Sequence, residues 1–356
     1  MTPEHGTSDG QTSAAQLMSL VDGYLSTQLI YVAAELSLAD TLNGRTATAA
    51  DLASNLGAPE PSLRRILRGL AAIGILAETA SDRFALTPLG ELLQTDHPRS
   101  LHGAVLVRGR IYYETMGALF ASLMKNRTPF QHLHGMRFFE YLDEHPDQGA
   151  VFQSSMSSRS RHEAEAVVES YSFSPYRRIV DVGGGDGTLL GRILAVAPAA
   201  QGILLDRPAA AARAVAHLER VAVPGTWQVV EGDFFERVPP RADLYILSRI
   251  LHDWDDRHAT AILVNCRQAM TDNSTLIAID ALLPQRAVDQ PSAIRMDLHM
   301  LALFEGGRER TIDEYRELLD AAGLRLVQSV PIQGAGIAII EASRKKDGSV
   351  GHEPGQ

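Results

Sequence analysis

The chain has 356 residues, 45% of them hydrophobic, and a formal net charge of -10. A chain of this length exceeds the roughly 100–200 residues of one domain and can build two substantial cores. The acidic balance argues against a nucleic acid or an anionic membrane as partner, because such surfaces attract concentrated Lys and Arg.

The two ends of the chain and its cysteine point to an ordinary globular protein. Residues 1–13 and 345–356 are polar, and we predict that they are disordered. The first residues lack the basic and apolar regions of a signal peptide, and no apolar run reaches the roughly 18 residues of a membrane helix, so we expect a cytoplasmic protein. Cys266, the one cysteine, lies among apolar residues at helical spacing and predicts a buried thiol rather than a disulfide.

Residues 14–171 have the pattern of a mostly helical domain. Between Gln16 and Leu42, apolar residues fall on more than one face of the helical pattern, which predicts neighbours on both sides, including a second subunit. Further on, Thr48 can cap a helix that Gly57 ends, and Pro61 opens another helix.

A hairpin-like pair of strands around Ser81 and Asp82 completes a winged-helix pattern, which commonly binds DNA. The second helix of the pattern carries Arg64, Arg65 and Arg68, but arginines at this spacing are ordinary on a solvated helix. The acidic balance and the enzyme-like second half favour another use. We therefore expect no nucleic-acid partner, with a DNA-binding regulator as the alternative from a different class.

Residues 172–344 alternate short apolar runs with helical patterns. The predicted strands are RIVDVG, GILLD, WQVVEG, DLYILS, STLIAID, LRLVQSV and GIAIIEAS. This alternation predicts an α/β domain with a doubly wound, Rossmann-like and mainly parallel sheet. Ligands of such sheets bind outside the carboxyl ends of the strands, so site residues should directly follow strands.

Three segments that follow strands indicate an adenosine ligand. The first strand ends in DVGGGDGT at 181–188, a turn whose glycines let the backbone approach a ligand. The third glycine of the dinucleotide pattern is absent, which disfavours a nicotinamide cofactor. Asp206 ends the next strand and can accept hydrogen bonds from ribose hydroxyls. Asp233 and Phe234 follow the third strand and offer a carboxylate and an aromatic face, although one such acid alone is often only a helix cap.

His252 follows the strand DLYILS and therefore lies at the same edge of the predicted sheet. An imidazole with a pKa near 6.5 can accept a phenolic proton. Asp280 ends the next strand, where it can hydrogen-bond the far ring nitrogen and fix the tautomer. A purely structural histidine packed on Trp254 is the alternative. We expect no metal, because the sequence has no clustered carboxylates of the kind that chelate magnesium.

The segments DVGGGDGT, GDFF at 232–235, LHDWDD at 251–256 and GGRERT at 306–311 resemble the S-adenosylmethionine-dependent O-methyltransferases. This family includes plant caffeic acid methyltransferases and bacterial methyltransferases of antibiotic biosynthesis. The resemblance covers nearly the whole chain. It implies a winged-helix dimerisation domain, a homodimer through N-terminal helices, and methyl transfer to a hydroxyl of a small aromatic acceptor, with S-adenosylhomocysteine as product.

The resemblance also implies roles for single residues. His252 matches the family's base, and Asp280 matches its orienting acid, usually glutamate. A second acid is expected just after the Arg-Thr pair of GGRERT, but Ile312 stands there. Either Asp280 alone orients the base or Asp313 reaches in. Relatives that hydroxylate or decarboxylate exist, and the histidine argues against that alternative.

Cofactor contacts are expected from Asp181, Gly183, Gly185, Asp206, Arg207, Gly232, Asp233, Phe234, Ser248 and Arg249. Ser248 stands where the family often has a lysine. Acceptor contacts are expected from Phe152, Met156, Asp253, Met296, His299, Met300 and Phe304. The last four recur at helical spacing, which core packing explains equally well, and the resemblance favours a pocket.

Overall fold

The computed structural model describes residues 7–80, 82–125 and 127–345. The predicted disordered ends lie outside this part of the chain at 1–6 and 346–356. Residues 7–13 correct the prediction, because they are helical. These polar residues extend a helix whose apolar residues begin at Leu17.

The chain forms two compact units. The first, called the helical unit, comprises Met1–Glu114 and His145–Ser158, and the second, called the sheet unit, comprises Thr115–Glu144 and Arg159–Gln356. The sequence predicted one boundary near residue 172. The structure instead assigns the helices of 115–144 and residues 159–171 to the same unit as the sheet, since helical periodicity alone does not reveal which core a helix joins.

The elements of the helical unit can be given in chain order. They are α1 Thr7–Val21, α2 Gly23–Glu35, α3 Leu38–Thr41, β1 Ala47–Thr48, α4 Ala49–Leu56, α5 Glu60–Ala72, β2 Leu76–Ala80, β3 Arg83–Leu86, α6 Pro88–Glu91, α7 His102–Val107 and a π-helical turn Arg108–Tyr112. Helix α8 Tyr113–Gly117 crosses into the next unit, and helix α12 Pro146–Ser170 begins in the helical unit and ends in the sheet unit.

The winged-helix prediction is confirmed in its details. Thr48 caps α4 by accepting a 3.1 Å hydrogen bond from the Asp51 amide, and Gly57 ends the helix at a φ of 64°. Strands β1, β3 and β2 form a small antiparallel sheet in that order. On α5, Arg64 pairs with Glu60 at 2.5 Å and also with Asp82.

Helix α1 and the start of α2 leave apolar side chains in solvent. Leu17 is 61% exposed, Leu20 74% and Tyr24 48%. Apolar surface of this kind, clustered on one pair of helices, is typical of a protein interface.

The sheet unit contains the remaining elements. Its helices are α9 Leu119–Leu123, α10 Pro129–His134, α11 Phe138–Glu144, α13 Thr188–Val196, α14 Pro208–Arg220, α15 Asp256–Ala269, α16 Pro291–Leu303 and α17 Ile312–Ala321, with short 3-10 turns at Leu251–Asp253 and Ala287–Asp289. Its strands are β4 Arg178–Val182, β5 Gln201–Asp206, β6 Thr226–Glu231, β7 Leu244–Ser248, β8 Thr275–Asp280, β9 Leu324–Ile332 and β10 Ile337–Arg344.

The predicted doubly wound sheet is confirmed. Seven strands lie in the order β6-β5-β4-β7-β8-β10-β9, and the first five are parallel. The antiparallel strand β10 lies between β8 and β9. Apolar side chains cover both faces of the sheet in two buried clusters. The carboxyl ends of β4 to β8 therefore share one edge, where a doubly wound sheet binds its ligand.

In the part of the chain that the structure describes, every helix is too short or too polar to span a membrane.

Candidate active site

The glycine turn after β4 follows a path that side chains would obstruct. Gly183 and Gly185 have φ angles of 74° and 62°, in the left-handed region that glycine tolerates. A Cβ on Gly183 would stand 2.5 Å from the Cδ1 atom of Ile250. The amide of Gly185 donates a 2.8 Å hydrogen bond to Oδ2 of Asp206. The turn is thereby fixed to the end of the neighbouring strand.

Asp181 lies directly before this turn and is 1% exposed. Neither carboxylate oxygen has a hydrogen-bond partner among the described residues. Burial, together with the charges of Asp206 and Asp186, raises the pKa of Asp181 to about 7. A buried carboxylate without donors is costly. The position therefore suits a ligand that brings an ammonium or N–H group, such as the amino-acid part of S-adenosylmethionine.

Asp206 ends β5 with its carboxylate already oriented. Oδ2 accepts from the Gly185 amide, and Oδ1 accepts from the Arg207 amide at 2.7 Å. Burial raises the pKa of Asp206, although these amide hydrogen bonds oppose that shift. Each oxygen keeps a second lone pair for a ribose hydroxyl. The Arg207 guanidinium lies 5.8 Å from the ring centre of Phe139.

The segment after β6 presents an aromatic face beside a carboxylate. The Gly232 amide donates to the Asp206 carbonyl at 3.0 Å, which ties this segment to β5. Asp233 accepts a 2.8 Å hydrogen bond from the Phe235 amide. The rings of Phe234 and Trp254 lie edge-on, with their centres 6.3 Å apart.

One residue that holds this segment was not predicted from the sequence. The amide of Asn265 on α15 donates to the carbonyls of Phe234 and Phe235 at 2.9 and 2.8 Å. Its position in the middle of a helix gives no indication of this contact in the sequence.

His252 lies in the short 3-10 turn after β7 and is 5% exposed. Its Nδ1 atom is 2.8 Å from Oε1 of Glu309 and 3.7 Å from Oδ1 of Asp280, while Nε2 is 3.4 Å from Oδ1 of Asp253. Oδ2 of Asp280 accepts a 2.8 Å hydrogen bond from the hydroxyl of Tyr315 on α17. Three carboxylates thus surround one imidazole.

These charges control the protonation of the imidazole. Burial alone lowers the pKa of His252, but the charges of Glu309, Asp280 and Asp253 outweigh burial and raise it to about 9. Burial has the opposite effect on two of these acids: it raises the pKa of Asp253 to about 7 and that of Asp280 to about 6. The site therefore stabilises an imidazolium, which is the product of proton abstraction by histidine.

These distances correct the prediction that the far ring nitrogen donates a hydrogen bond to Asp280. At 3.7 Å the Asp280 oxygen acts through its charge, and Glu309 holds the hydrogen-bonding position. Asp313 does not reach the histidine, because it pairs with Arg316 and is mostly exposed. Ile312 packs instead against one of the two buried apolar clusters that cover the sheet. The second acid thus comes from within GGRERT, a segment that the sequence had marked without identifying its glutamate.

The loop 306–311 encloses the histidine turn. The Arg308 amide donates to the His252 carbonyl at 2.8 Å, and the amide of Glu309 donates to Asp297 on α16 at 2.9 Å. The guanidinium of Arg310 is fully buried and donates to the carbonyls of Leu251 and Trp254, both at 2.8 Å. The turn is therefore held on both sides of His252.

Ser248 ends β7 and Arg249 directly follows it, as predicted, but the Arg249 side chain is engaged elsewhere. Its guanidinium binds Glu163 on α12, with Nη2 2.6 Å and Nε 3.3 Å from the carboxylate. Burial alone raises the pKa of Glu163, but Arg249 and Arg159 outweigh it and hold the pKa at about 2. A cofactor contact by this guanidinium stays a prediction.

The three side chains of His252, Asp280 and Glu309 bring one ligand atom each within 4.8 Å of one another, a spacing that a metal ion could bridge. The Arg249 guanidinium is 3.8 Å from Glu309, and Tyr315 already bonds Asp280. Because a divalent ion beside this arginine is repelled more strongly than a singly charged imidazolium, the cluster fits a protonated histidine better than a metal.

The predicted acceptor residues on α16 take different positions. Met300 is buried, Met296 and His299 are half-buried, and Phe304 packs edge-on against Phe138 with ring centres 5.6 Å apart. Met296 also contacts the Arg159 guanidinium through its sulfur at 3.7 Å. Phe152 and Met156 belong to the helical unit. A surface cavity of about 420 Å³ beside α10, lined by polar side chains such as Arg127 and Glu305, involves none of these residues.

Family models match most of the chain. An O-methyltransferase domain matches residues 113–325, and an O-methyltransferase dimerisation domain matches residues 18–96. The chain is 38% identical to a phenazine O-methyltransferase of Lysobacter antibioticus, over 92% of this chain and 95% of the relative. It is 30% identical to a phenazine-1-carboxylate N-methyltransferase of Pseudomonas aeruginosa, over 90% and 94%.

A solved structure of similar fold carries ligands. It is an O-methyltransferase from neocarzinostatin biosynthesis in complex with S-adenosylmethionine and 2-hydroxy-5-methyl naphthoic acid. Its TM-score is 0.78 at 32% sequence identity, with 90% of this chain and 96% of that chain covered.

Proposed function

The chain belongs to the family of S-adenosylmethionine-dependent O-methyltransferases of natural-product type, and on that premise we propose that His252 is the general base for methyl transfer to a hydroxyl of a small aromatic acceptor. The observation that carries the proposal is the 2.8 Å contact between Nδ1 of His252 and Glu309. In the neutral form of His252, Nδ1–H is donated to that carboxylate and Nε2 has a lone pair for the acceptor's proton. With a pKa of about 9, this neutral form becomes more populated as pH rises.

The cofactor supplies a methyl group that its sulfonium already activates, so the protein has to align the acceptor oxygen with the methyl carbon and remove its proton. We assign Asp181 and the glycine turn to the amino-acid part, Asp206 to the ribose, and Asp233 with Phe234 to adenine. The unpartnered carboxylate of Asp181 and the oriented carboxylate of Asp206 support this assignment.

The proton moves from the acceptor hydroxyl to Nε2 as the new O–C bond forms. The resulting imidazolium donates to Glu309 and is stabilised further by the charge of Asp280 at 3.7 Å. Asp253, with an oxygen 3.4 Å from Nε2, is the acid nearest to the proton-accepting atom. We assign it to the acceptor side of the site.

An aromatic acceptor is supported by the names of similar proteins, which act on or bind phenazines and a naphthoic acid. The thioethers of Met296 and Met300, with the ring of Phe304, suit a flat apolar guest. Because one relative is named as an N-methyltransferase, an acceptor nitrogen is the competing possibility. In-line transfer to oxygen is the case for which a base is needed.

The helical unit is assigned to dimer formation rather than to DNA. Its dimerisation-domain match begins at residue 18, and the exposed apolar residues of α1 and α2 offer the surface. Arg64, one of the three arginines considered for DNA binding, is already neutralised by Glu60 and Asp82.

The test compares two substitutions. His252→Ala should lower kcat by about 10²–10⁴-fold and leave cofactor affinity nearly unchanged, as expected for a lost general base. Asp206→Ala should mainly weaken cofactor binding, measured by calorimetry. Methylation is followed by mass spectrometry with candidate phenols and with matched amines. Full turnover of a phenol by His252→Ala would reassign the base, and methylation of amines alone would replace the oxygen acceptor.

A further inference from the structure

A buried carboxylate on α12 plays no part in the function proposed above. The side chain of Glu163 is 12% exposed and binds two guanidinium groups at one oxygen, Arg159 at 2.8 Å and Arg249 at 2.6 Å. Ion pairs with little solvent are screened weakly, so their charges act on neighbouring groups. Glu163 lies far from His252 in sequence, but successive ionic contacts through Arg249 and Glu309 connect the two side chains.

Arg249 connects this carboxylate to the catalytic histidine. Its Nη1 atom is 3.8 Å from Oε1 of Glu309, and that same oxygen is 2.8 Å from Nδ1 of His252. Nη1 is buried and has no hydrogen-bond partner among the described residues. Four charged groups, Glu163, Arg249, Glu309 and His252, therefore alternate in sign along one continuous row.

The backbone of Arg249 supports a functional reading of this row. Its φ angle is 59°, in the left-handed region that a bulky residue rarely adopts. Such a conformation is strained and persists where the surrounding structure requires it. The amide of Arg249 donates to the Ile279 carbonyl at 3.0 Å, which holds the residue between β7 and β8.

We propose that Glu163 and Arg249 are positioning residues that tune the proton affinity of His252, Arg249 by opposing the charge of Glu309 and Glu163 by opposing that of Arg249. The proposal rests on the role of His252 as base.

The charged and titratable groups that face the imidazole come from several elements. Asp253 comes from its own turn, Asp280 from the end of β8, and Glu309 from the loop 306–311. The hydroxyl of Tyr315 on α17 acts through Asp280. Two buried cations also lie nearby: Arg310 binds the carbonyls of Leu251 and Trp254, and Arg249 is the one within 4 Å of Glu309. The loss of Arg249 and the loss of its partner Glu163 should therefore have opposite electrostatic consequences.

The test measures the titration of His252 by NMR of the full-length protein, with its resonance assigned by comparison with His252→Gln. Removing the negative charge in Glu163→Gln leaves Arg249 uncompensated and should lower the pKa of His252, which is about 9 in the parent protein. Removing the positive charge in Arg249→Gln should raise it. For unit charges about 8 Å apart at an effective dielectric constant of about 20, each shift is about 1.5 units.

Two variants serve as controls. Arg249→Lys keeps the charge and should restore a titration close to that of the parent. Glu165→Gln removes an exposed acid of the same helix, which pairs with Arg192, and should leave the titration of His252 unchanged. If Glu163→Gln does not fold, Arg159→Gln tests the outer end of the row and should give an upward shift smaller than that of Arg249→Gln.

Shifts of opposite sign in the two glutamine variants support the proposal, and shifts of the same sign, or none, overturn it. A purely structural role would lower the unfolding temperature without this sign pattern. The pH dependence of kcat/KM separates this proposal from the proposed function. If the NMR titration moves but the kinetic profile does not, the charged row stands and His252 is not the base.

Discussion

Replacing Glu309 with glutamine tests which acid controls the protonation of His252, the proposed base. The carboxylate lies 2.8 Å from Nδ1 of His252, so the two charge centres are about 4 Å apart. At an effective dielectric constant of about 20, this interaction amounts to about 4 kcal/mol, or about three pKa units. Because Asp280 remains at 3.7 Å and the glutamine can still accept a hydrogen bond, we expect the pKa to fall by about two units, from about 9 to about 7.

The direction of the kinetic effect follows from this sign. A lower pKa leaves more histidine neutral at pH 7, so the acidic limb of kcat/KM should move to lower pH by about two units. The plateau should nevertheless fall by about 10–10²-fold, because the imidazolium formed in the transition state loses its nearest counter-charge. Initial rates from pH 5 to pH 10, measured as transfer of a labelled methyl group to the acceptor, give both quantities.

Two further variants make the result interpretable. Asp280→Asn should shift the limb in the same direction by a smaller amount, since its carboxylate is more distant and bonded to Tyr315. Asp313→Asn changes an exposed acid paired with Arg316 and should leave the profile unchanged. A limb that moves with Asp280→Asn but not with Glu309→Gln would refute the reasoning and return the orienting role to Asp280.

Other predictions concern the cofactor edge and metal dependence. Burial raises the pKa of Asp181 from 3.8 to about 7, so its contribution destabilises the folded state progressively as pH rises through that window. Asp181→Asn should therefore raise the unfolding temperature of the cofactor-free protein at pH 8 but not at pH 4, and it should reduce the stabilisation that S-adenosylmethionine gives, both measured by calorimetry. Methyl transfer should survive prolonged dialysis against EDTA, because an arginine stands 3.8 Å from the acid that a metal would need; activity lost to EDTA and restored by a divalent ion would contradict this.

Much of the fold was predictable because its signals are local. The strands of the sheet unit are short apolar runs in the sequence. The turn after β4 is marked by glycines whose φ angles other residue types rarely adopt. Capping by Thr48 and termination at Gly57 are likewise set by neighbours in sequence. The assignment of residues 115–144 to the sheet unit depends on packing between distant segments, and helical periodicity carries no such information.

The site was predictable only where a side chain directly follows a strand. Parallel strands place their carboxyl ends at one edge of the sheet. The predicted strand ends therefore identify Asp206, His252 and Asp280 from the sequence alone. It does not determine which acid reaches Nδ1, because Glu309 comes from a loop whose path depends on contacts made by Arg310 with buried carbonyls. Glu163 is still harder to predict, since it lies on a helix far from His252 in sequence and its ionic contacts are with Arg249 and Arg159. Spacing in the sequence therefore locates the sheet edge of the candidate site, whereas the charges around His252 are brought together only in the folded chain.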